Sequence, residues 1–410
     1  MTKVSDKVTN TYIEKVHLNG FNTIKNLDVS LQNGLNIIIG KNASGKTNFM
    51  TFLNEIFEDL ELPVIDFDVN VYLNGRVEYE YRAYSNGQDL QDIGITRIKD
   101  LNSLSESVSK TAYYLVNNKM VEPLDVISNE YKVNRVLIKH GVPSEYDLVN
   151  HPWNFNVYEG NRYKGMLPLL RKSRETPSFV SDLSLSFFFN SIGLPKDHGL
   201  KNIELVKSTI RETGEVFFKS IKEKLKRFTL IQDVRLSENL NLFFDDSNDL
   251  LSLNNLFLEF YVNNNWLPFS SLSDGTKRLF YIISECNSLK YKGEIKMKDD
   301  VGVNFNIDNR NKIILLEEPE LGLHPHQLMN LLQFLKEESL NKQIIITTHS
   351  PMVLDVLDKT ELDRIIIASY SLEEKRTLMR HLSEEEKEKA QLYMEDDYLS
   401  DYWKYSDLEE

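Results

Sequence analysis

One octapeptide constrains this chain more than anything else in it: Gly40-Lys41-Asn42-Ala43-Ser44-Gly45-Lys46-Thr47 fits the pattern G-x-x-x-x-G-K-[ST]. Its glycines let the backbone wrap closely, so that N–H groups of the loop and of the next helix N-terminus point at one phosphate. In such a loop Lys46 reaches β- and γ-phosphate oxygens, and the Thr47 hydroxyl ligates Mg2+. The flanks supply the context the motif requires. Residues 35–39 (LNIII) form a short apolar run ending at Gly40, and residues 46–57 read as a helix with Phe49, Leu53, Ile56 and Phe57 on one face. The expected contacts to ATP run from Gly40 through Lys46 and Thr47 to Asn48.

Three further motifs follow in the second half. Ile313-Ile314-Leu315-Leu316-Glu317-Glu318-Pro319-Glu320 is an apolar strand ending in carboxylates, which puts charge at the carboxyl edge of a sheet, where a P-loop protein holds its phosphates. Glu317 is the candidate Mg2+ ligand, through water, and Glu318 the group that orients or deprotonates an attacking water. Leu272-Ser273-Asp274-Gly275-Thr276 precedes a predicted helix over 276–289 and makes a second anion cradle from Ser273 and the Gly275 backbone; Ser273 or Asp274 serves equally well as an N-cap. Thr347-Thr348-His349-Ser350-Pro351 follows a strand over 344–346, and a histidine there can meet the γ-phosphate or the water.

Around these motifs the chain alternates strands and helices at both ends, which argues for an α/β core with a largely parallel sheet. Residues 65–83 alternate as a β-hairpin about Asn74-Gly75, and residues 11–17 read as a strand. From about 100 to 227 the pattern predicts helices, the last over 203–227 with a basic end at Lys219, Lys222, Lys224, Lys226 and Arg227. Strand character returns at 240–244 and 256–262, residues 291–311 read as a polar surface loop, and a helix is expected over 328–338. The net charge of −14 opposes autonomous nucleic-acid binding except through such a local basic patch. The single cysteine, Cys286, excludes a disulfide or a Cys-based metal site within one chain. No signal-peptide core or long apolar run is present, so a cytoplasmic protein without membrane contact is expected.

The order P-loop, Ser-Asp-Gly, apolar strand with Glu-Glu, strand with His resembles the ABC/SMC-like P-loop ATPases, and specifically their OLD-like (overcoming lysogenization defect) and RecF-like branch. Gly20-Phe21 and Gly34-Leu35-Asn36 are similar to that family's opening, Glu317-Glu318-Pro319-Glu320 with Leu323-His324-Pro325 to its Walker B and D-loop, and Thr348-His349-Ser350-Pro351 to its switch loop. The likeness covers roughly residues 10–75 and 235–360. It implies an ATPase head with a mixed or parallel sheet, an antiparallel β-hairpin subdomain and a helical insertion or lid. The corresponding segments are residues 1–85 and 228–385 for the two halves of the head, 86–227 for the insertion and 386–410 for an acidic-aromatic tail. It also implies that Ser273 and Gly275 of one copy complete the ATP site at Lys46 of another, in an ATP-dependent homodimer or larger homo-oligomer.

Three departures stand out. The signature reads Ser-Asp-Gly-Thr, the first Walker B acid is Glu, and Asn22 occupies a position where relatives often carry Arg or Lys. Gln88, Gln91 and Gln232 are the candidates for a Q-loop glutamine. The stretch from Thr47 to Leu272 is far longer than a transporter cassette needs, no heptads are sustained between 85 and 230, and too little chain follows His349 for a Toprim nuclease domain. The expected function is therefore an ATPase or sensor subunit of a two-component anti-phage defence system with a separate effector, a nuclease or toxin. Tyr393, Tyr398, Tyr402, Trp403 and Tyr405 are its candidate docking residues. The alternatives are a RecF-like DNA-repair or DNA-end-binding ATPase using the basic patch, and a slow nucleotide sensor.

Overall fold

The computed structural model of the chain describes residues 11–56, 66–73, 77–84, 111–116, 119–121, 135–139, 153–156, 203–245, 250–254, 257–287, 290–296, 302–308, 312–406 and 408. The chain divides into two units: Met1–His140 with Asn311–Leu321 and Leu335–Glu410, and Gly141–Arg310 with Gly322–Phe334. The first opens with β1 (Tyr12–Asn19), β2 (Leu27–Ser30), β3 (Leu35–Ile39), helix α1 (Lys46–Glu55), β4 (Asp66–Leu73), β5 (Val77–Tyr84), β6 (Thr111–Val116), β7 (Lys119–Val121) and β8 (Arg135–Ile138). The second contains β9 (Trp153–Asn156), a helix Ile203–Phe228, β10 (Asp233–Leu236), β11 (Asn241–Asp245), β12 (Leu250–Asn254), β13 (Leu258–Val262), β14 (Asn265–Pro268), a helix Asp274–Cys286, β15 (Lys290–Lys296) and β16 (Gly302–Asp308). The first unit resumes at β17 (Ile313–Glu317). After a helix Pro325–Ser339 it continues through β18 (Ile344–Thr348), β19 (Ile365–Ser371), β20 (Arg376–His381) and the helices Glu384–Tyr393 and Leu399–Tyr405.

Two six-stranded sheets build the first unit. One runs β20-β19-β3-β18-β17-β8, with every pair parallel except the β20 edge. Strands β3, β17 and β18 are mostly apolar and buried at every residue, as central parallel strands covered on both faces must be. The other sheet, β2-β1-β4-β5-β6-β7, is antiparallel throughout. Ile13, Val16 and Leu18 of β1 join Ile38, Phe49, Phe52, Leu53, Ile345 and Ile366 in one apolar core. Each such side chain contributes roughly 1.5–3 kcal/mol by leaving water. Arg135 of β8 donates from Nε to the Asn54 carbonyl at 2.7 Å, which satisfies an end carbonyl of α1.

Gln343 stitches the two sheets together. Fully buried just before β18, it accepts from the Ile13 N–H at 2.9 Å and donates from Nε2 to the Ile13 carbonyl at 2.8 Å and the Gln32 carbonyl at 3.0 Å. In the second unit, β10-β13-β14 and β11-β12-β9 form small antiparallel sheets. The helix Ile203–Phe228 buries Phe218, Ile221, Leu225 and Phe228, and the Phe228 ring lies 5.4 Å from that of Phe334.

Several expectations require correction. Within 86–227, where a mainly helical insertion is expected, the described residues hold the helix Ile203–Phe228 together with β6 and β7, which extend the hairpin sheet, and β8, which joins the parallel one. The Thr-Ala-Tyr-Tyr-Leu-Val of β6 pairs with β5, so the strands on either side of residue 85 share one sheet. Residues 291–311 contain the β15–β16 hairpin rather than a loop. The boundary at 386 cuts the helix Glu384–Tyr393, whose N-terminus is closed by a capping box of Ser383 and Glu386. In the tail, Trp403 and Leu399 are buried and Ser400 N–H donates to Asp355 at 2.8 Å, so Trp403 belongs to the fold and not to a docking surface; Tyr398 and Tyr405 are exposed. The Asn74-Gly75 turn, Phe57, Gln88 and Gln91 lie outside the described residues.

Replacing Gln343 by Ala removes its partner from both buried backbone groups of Ile13, while the Gln32 carbonyl keeps Asn36 Nδ2, so the loss of stability should be roughly 2–4 kcal/mol. The midpoint of urea unfolding, compared with wild type, measures it.

Candidate functional site

Parallel pairing sets the site. Ile39 at the end of β3 lies opposite Thr348 of β18, and Thr347 lies opposite Glu317 of β17, so three strands release their next residues at one edge. Those residues are Gly40, His349 and Glu318. Two bonds lock the loops to this register: Gly40 N–H to the Thr348 carbonyl at 3.3 Å, and Glu318 N–H to the Thr347 carbonyl at 2.8 Å.

The loop Gly40–Thr47 is shaped as an anion cradle. Ala43 (φ 64°) and Gly45 (φ 95°) both take left-handed backbone, which turns successive N–H groups toward a common concavity. Ala43 bears a steric cost of about 1–2 kcal/mol there, a feature the sequence pattern does not reveal. The N-terminus of α1 has no side-chain cap and no acidic residue in its first turn, unlike Asp274–Cys286, where Ser273 accepts from Thr276 N–H. An uncapped helix N-terminus of this kind favours an anion. Lys46 is buried, with its ammonium donating to the carbonyls of Gly40 (2.6 Å) and Lys41 (2.9 Å) and to Ser44 Oγ (3.3 Å), so the cation sits at the centre of the loop. Lys41, Asn42, Ala43 and Thr47 are exposed and Ser44 is buried. The Asn48 side chain is held by the turn after β1: its Nδ2 donates to Thr23 Oγ1 at 3.0 Å, and its Oδ1 accepts from Asn22 at 3.4 Å.

The β19–β20 hairpin, which is not among the strands expected from the sequence, lies directly against this loop. A Cβ on Gly40 would stand 1.9 Å from the Ala368 carbonyl oxygen, and one on Gly45 would stand 2.0 Å from Thr377 Oγ1. Thr377 in turn shares a 2.8 Å hydroxyl contact with Thr23 and donates its N–H to the Thr23 carbonyl. The Ile365-Ile366-Ile367 run was the available signal for this hairpin.

The acidic side of the site is built from β17 and the residues after it. Glu317 is buried at the strand end. Glu318 adopts a left-handed φ of 45°, uncommon for a non-glycine residue, and its carbonyl accepts from Leu321 N–H at 3.2 Å. His349 Nδ1 lies 3.4 Å from Oε1 of both Glu318 and Glu320. Glu320, which the sequence reading quoted without a role, accepts the Thr348 hydroxyl at 2.6 Å and the His349 N–H at 3.2 Å, both on Oε1. Among the described residues no group of three or more His, Cys, Asp or Glu is placed to hold a metal by itself. A hydroxyl from Thr47 and a carboxylate from Glu317 are oxygen donors of the kind that would suit a hard cation such as Mg2+, with its other ligands supplied by phosphate and water.

Ser273 and Gly275 belong to the second unit. Ser273 Oγ caps its helix through Thr276 N–H at 3.3 Å and meets Thr276 Oγ1 at 2.8 Å. A Cβ on Gly275 would come within 2.7 Å of the Gly322 carbonyl, so this turn rests directly on the loop after Glu-Glu-Pro-Glu. Gln232 is exposed, with its N–H on the Tyr261 carbonyl, in the second unit.

Residues 143–355 match the family model described as "AAA domain, putative AbiEii toxin, Type IV TA system", and residues 12–140 match an "AAA ATPase domain" model. The chain is similar to Septu protein PtuA of Bacillus thuringiensis, 22% identical over 354 residues that span 85% of this chain and 74% of that protein. It is also 22% identical to endonuclease GajA of Bacillus cereus (strain VD045) over 372 residues, 85% of this chain and 57% of that one. Among solved structures, an SMC head bound to the C-winged helix domain of ScpA covers 92% of this chain and is itself covered to 99%, at 16% identity and a TM-score of 0.47.

Substituting Gly40 by Ala should lower stability by at least ~2 kcal/mol in the absence of nucleotide, because the Ala368 backbone cannot retreat without opening β3–β19. Thermal unfolding of nucleotide-free protein measures it. A glycine needed for phosphate contact alone would leave that transition unchanged.

Proposed function

We propose, from the premise that this chain belongs to the AAA-domain family whose model spans residues 143–355, that it hydrolyses ATP between two head-to-head copies and drives a separate effector. ATP hydrolysis is the activity of the domain the family describes. One observation carries the site assignment: β3, β18 and β17 deliver the P-loop, His349 and Glu317-Glu318 to a single sheet edge. In this reading Lys46 turns its ammonium from the loop carbonyls to the β- and γ-phosphate oxygens, and the open N-terminus of α1 receives the β-phosphate. Mg2+, held by Thr47 and Glu317, supplies neutralising charge on the phosphates when bound. Glu318 takes the proton of the attacking water as the water oxygen bonds to the γ-phosphorus and the bond to ADP breaks, while His349 steadies the γ-phosphate. Ser273 Oγ and the Gly275 N–H of a second copy complete the donors around the developing charge.

A place in anti-phage defence draws its support from the Septu protein and the endonuclease among the relatives. The competing reading, DNA binding through residues 219–227, has less to stand on. Lys222 is bound to Glu215 and Asp233 at 2.9 Å each, Lys224 lies over the Phe334 ring and Arg227 over that of Phe228. Among the described residues no helix is long and apolar enough to cross a membrane.

Two substitutions separate the parts of this reading. Glu318→Gln should cut turnover by ~100-fold or more while nucleotide binding persists, and should accumulate ATP-bound dimers by light scattering. Ser273→Arg should keep ATP binding in the monomer and abolish the dimer; unchanged dimers in that variant would remove Ser273 from the interface. A pull-down with ATP-loaded Glu318→Gln protein should recover the effector, and an empty one counts against the two-component arrangement.

A further inference from the structure

Glu320 is the one acid of Glu317-Glu318-Pro319-Glu320 for which the catalytic reading above has no use, and it is the one most tightly tied to the switch loop. Its side chain is nine-tenths buried. Oε1 takes the Thr348 hydroxyl at 2.6 Å and the His349 N–H at 3.2 Å, while Oε2 is buried with no hydrogen-bond partner among the described residues. Burying a carboxylate with an unsatisfied oxygen costs free energy that a neutral acceptor in the same place would avoid. What a carboxylate adds is a full negative charge that accepts and never donates. That charge faces His349 Nδ1, 3.4 Å away, and Glu318 Oε1 faces the same nitrogen at the same distance.

We infer that Glu320 is a positioning residue for the hydrolysis proposed above: it holds His349 in the tautomer with the proton on Nδ1 and sets its ring against Glu318. Two carboxylates on one ring nitrogen favour a hydrogen there and leave Nε2 as the free lone pair. The Nδ1–H also lies between two like charges that would otherwise repel one another. The Thr348 hydroxyl and the His349 backbone N–H fix the chain on either side of the ring, so one carboxylate sets both where His349 sits and which nitrogen it turns toward the nucleotide. Glu320 acts through His349 and touches no reacting atom itself.

The test reads the tautomer directly and then the kinetics. In protein labelled with 15N-histidine, the signal assigned to His349 by loss in His349→Gln should show a protonated Nδ1 in wild type, and Glu320→Gln should shift it toward protonation on Nε2. With ATP as substrate, Glu320→Gln should lower kcat by ~10-fold while KM, and the Kd for a fluorescent ATP analogue, stay within ~2-fold. In a His349→Ala background the same change should alter kcat by less than ~2-fold, because the route through which Glu320 acts is gone. An unprotonated Nδ1 in wild type overturns the inference, as does an unaltered kcat in Glu320→Gln or a full additive loss in the double variant. Wild-type protein that binds ATP without hydrolysing it would defeat the hydrolytic reading instead, and the 15N measurement would still decide the role of Glu320.

Discussion

Parallel pairing of β3, β18 and β17 is the constraint from which the rest of the first unit follows. A parallel ladder forces its strands to end on the same side, and here the ends carry a glycine loop, a histidine and an acidic turn. Burial enforces the pairing. All three strands are covered at every residue, so a slip in register would move isoleucines and leucines out of the core and break the contact between Thr347 and Glu317. Core packing and site geometry are therefore one problem in this chain.

The β19–β20 hairpin shows how a cradle of backbone N–H groups is kept in shape without side chains of its own. Loop residues Lys41, Asn42 and Ala43 are exposed and have little packing to hold them. What holds the loop is contact at its two glycines, with the Ala368 carbonyl against Gly40 and the Thr377 side chain against Gly45. Thr377 is fixed through Thr23, and Asn48 on α1 is fixed through the same hydroxyl. A polar chain thus runs from β20 through the turn after β1 to the first turn of α1, preorganising the loop for a charged ligand.

The strongest parts of the fold were legible because their signals are local. LNIII before a glycine, and IILL before Glu-Glu-Pro, are apolar runs of strand length with punctuation at one end; the strands are Leu35–Ile39 and Ile313–Glu317, the second running one residue past its apolar run. The hairpin at β4 and β5 was equally plain from its alternation. Strand β8 was missed because its partner is remote in sequence: it pairs with β17, and a four-residue Arg-Val-Leu-Ile has no periodicity to distinguish it from helix. The basic residues at the end of Ile203–Phe228 looked like a patch in one dimension. Their partners, Asp233 and the Phe334 ring, become visible only once the chain has folded back.

The acidic turn illustrates a different limit. Sequence spacing suggests the roles proposed for Glu318 and His349 but does not say that a second carboxylate stands beside the ring, since Glu320 and Thr348 are joined by folding alone. Glu318 occupies left-handed backbone, a conformation that costs most residues about 1–2 kcal/mol and that survives only where the surroundings over-determine it. Its N–H is tied to Thr347, its carbonyl to Leu321, and its carboxylate lies against the His349 ring. Strain of this kind cannot be relieved by a local shift, because each end of the turn belongs to a strand or loop that also serves the phosphate side. The turn and the switch loop are consequently held as one rigid element, and a change in the position of His349 must be felt at Glu318. In the hydrolysis proposed here, where a water must be lined up against a phosphorus atom, that shared rigidity would provide the alignment.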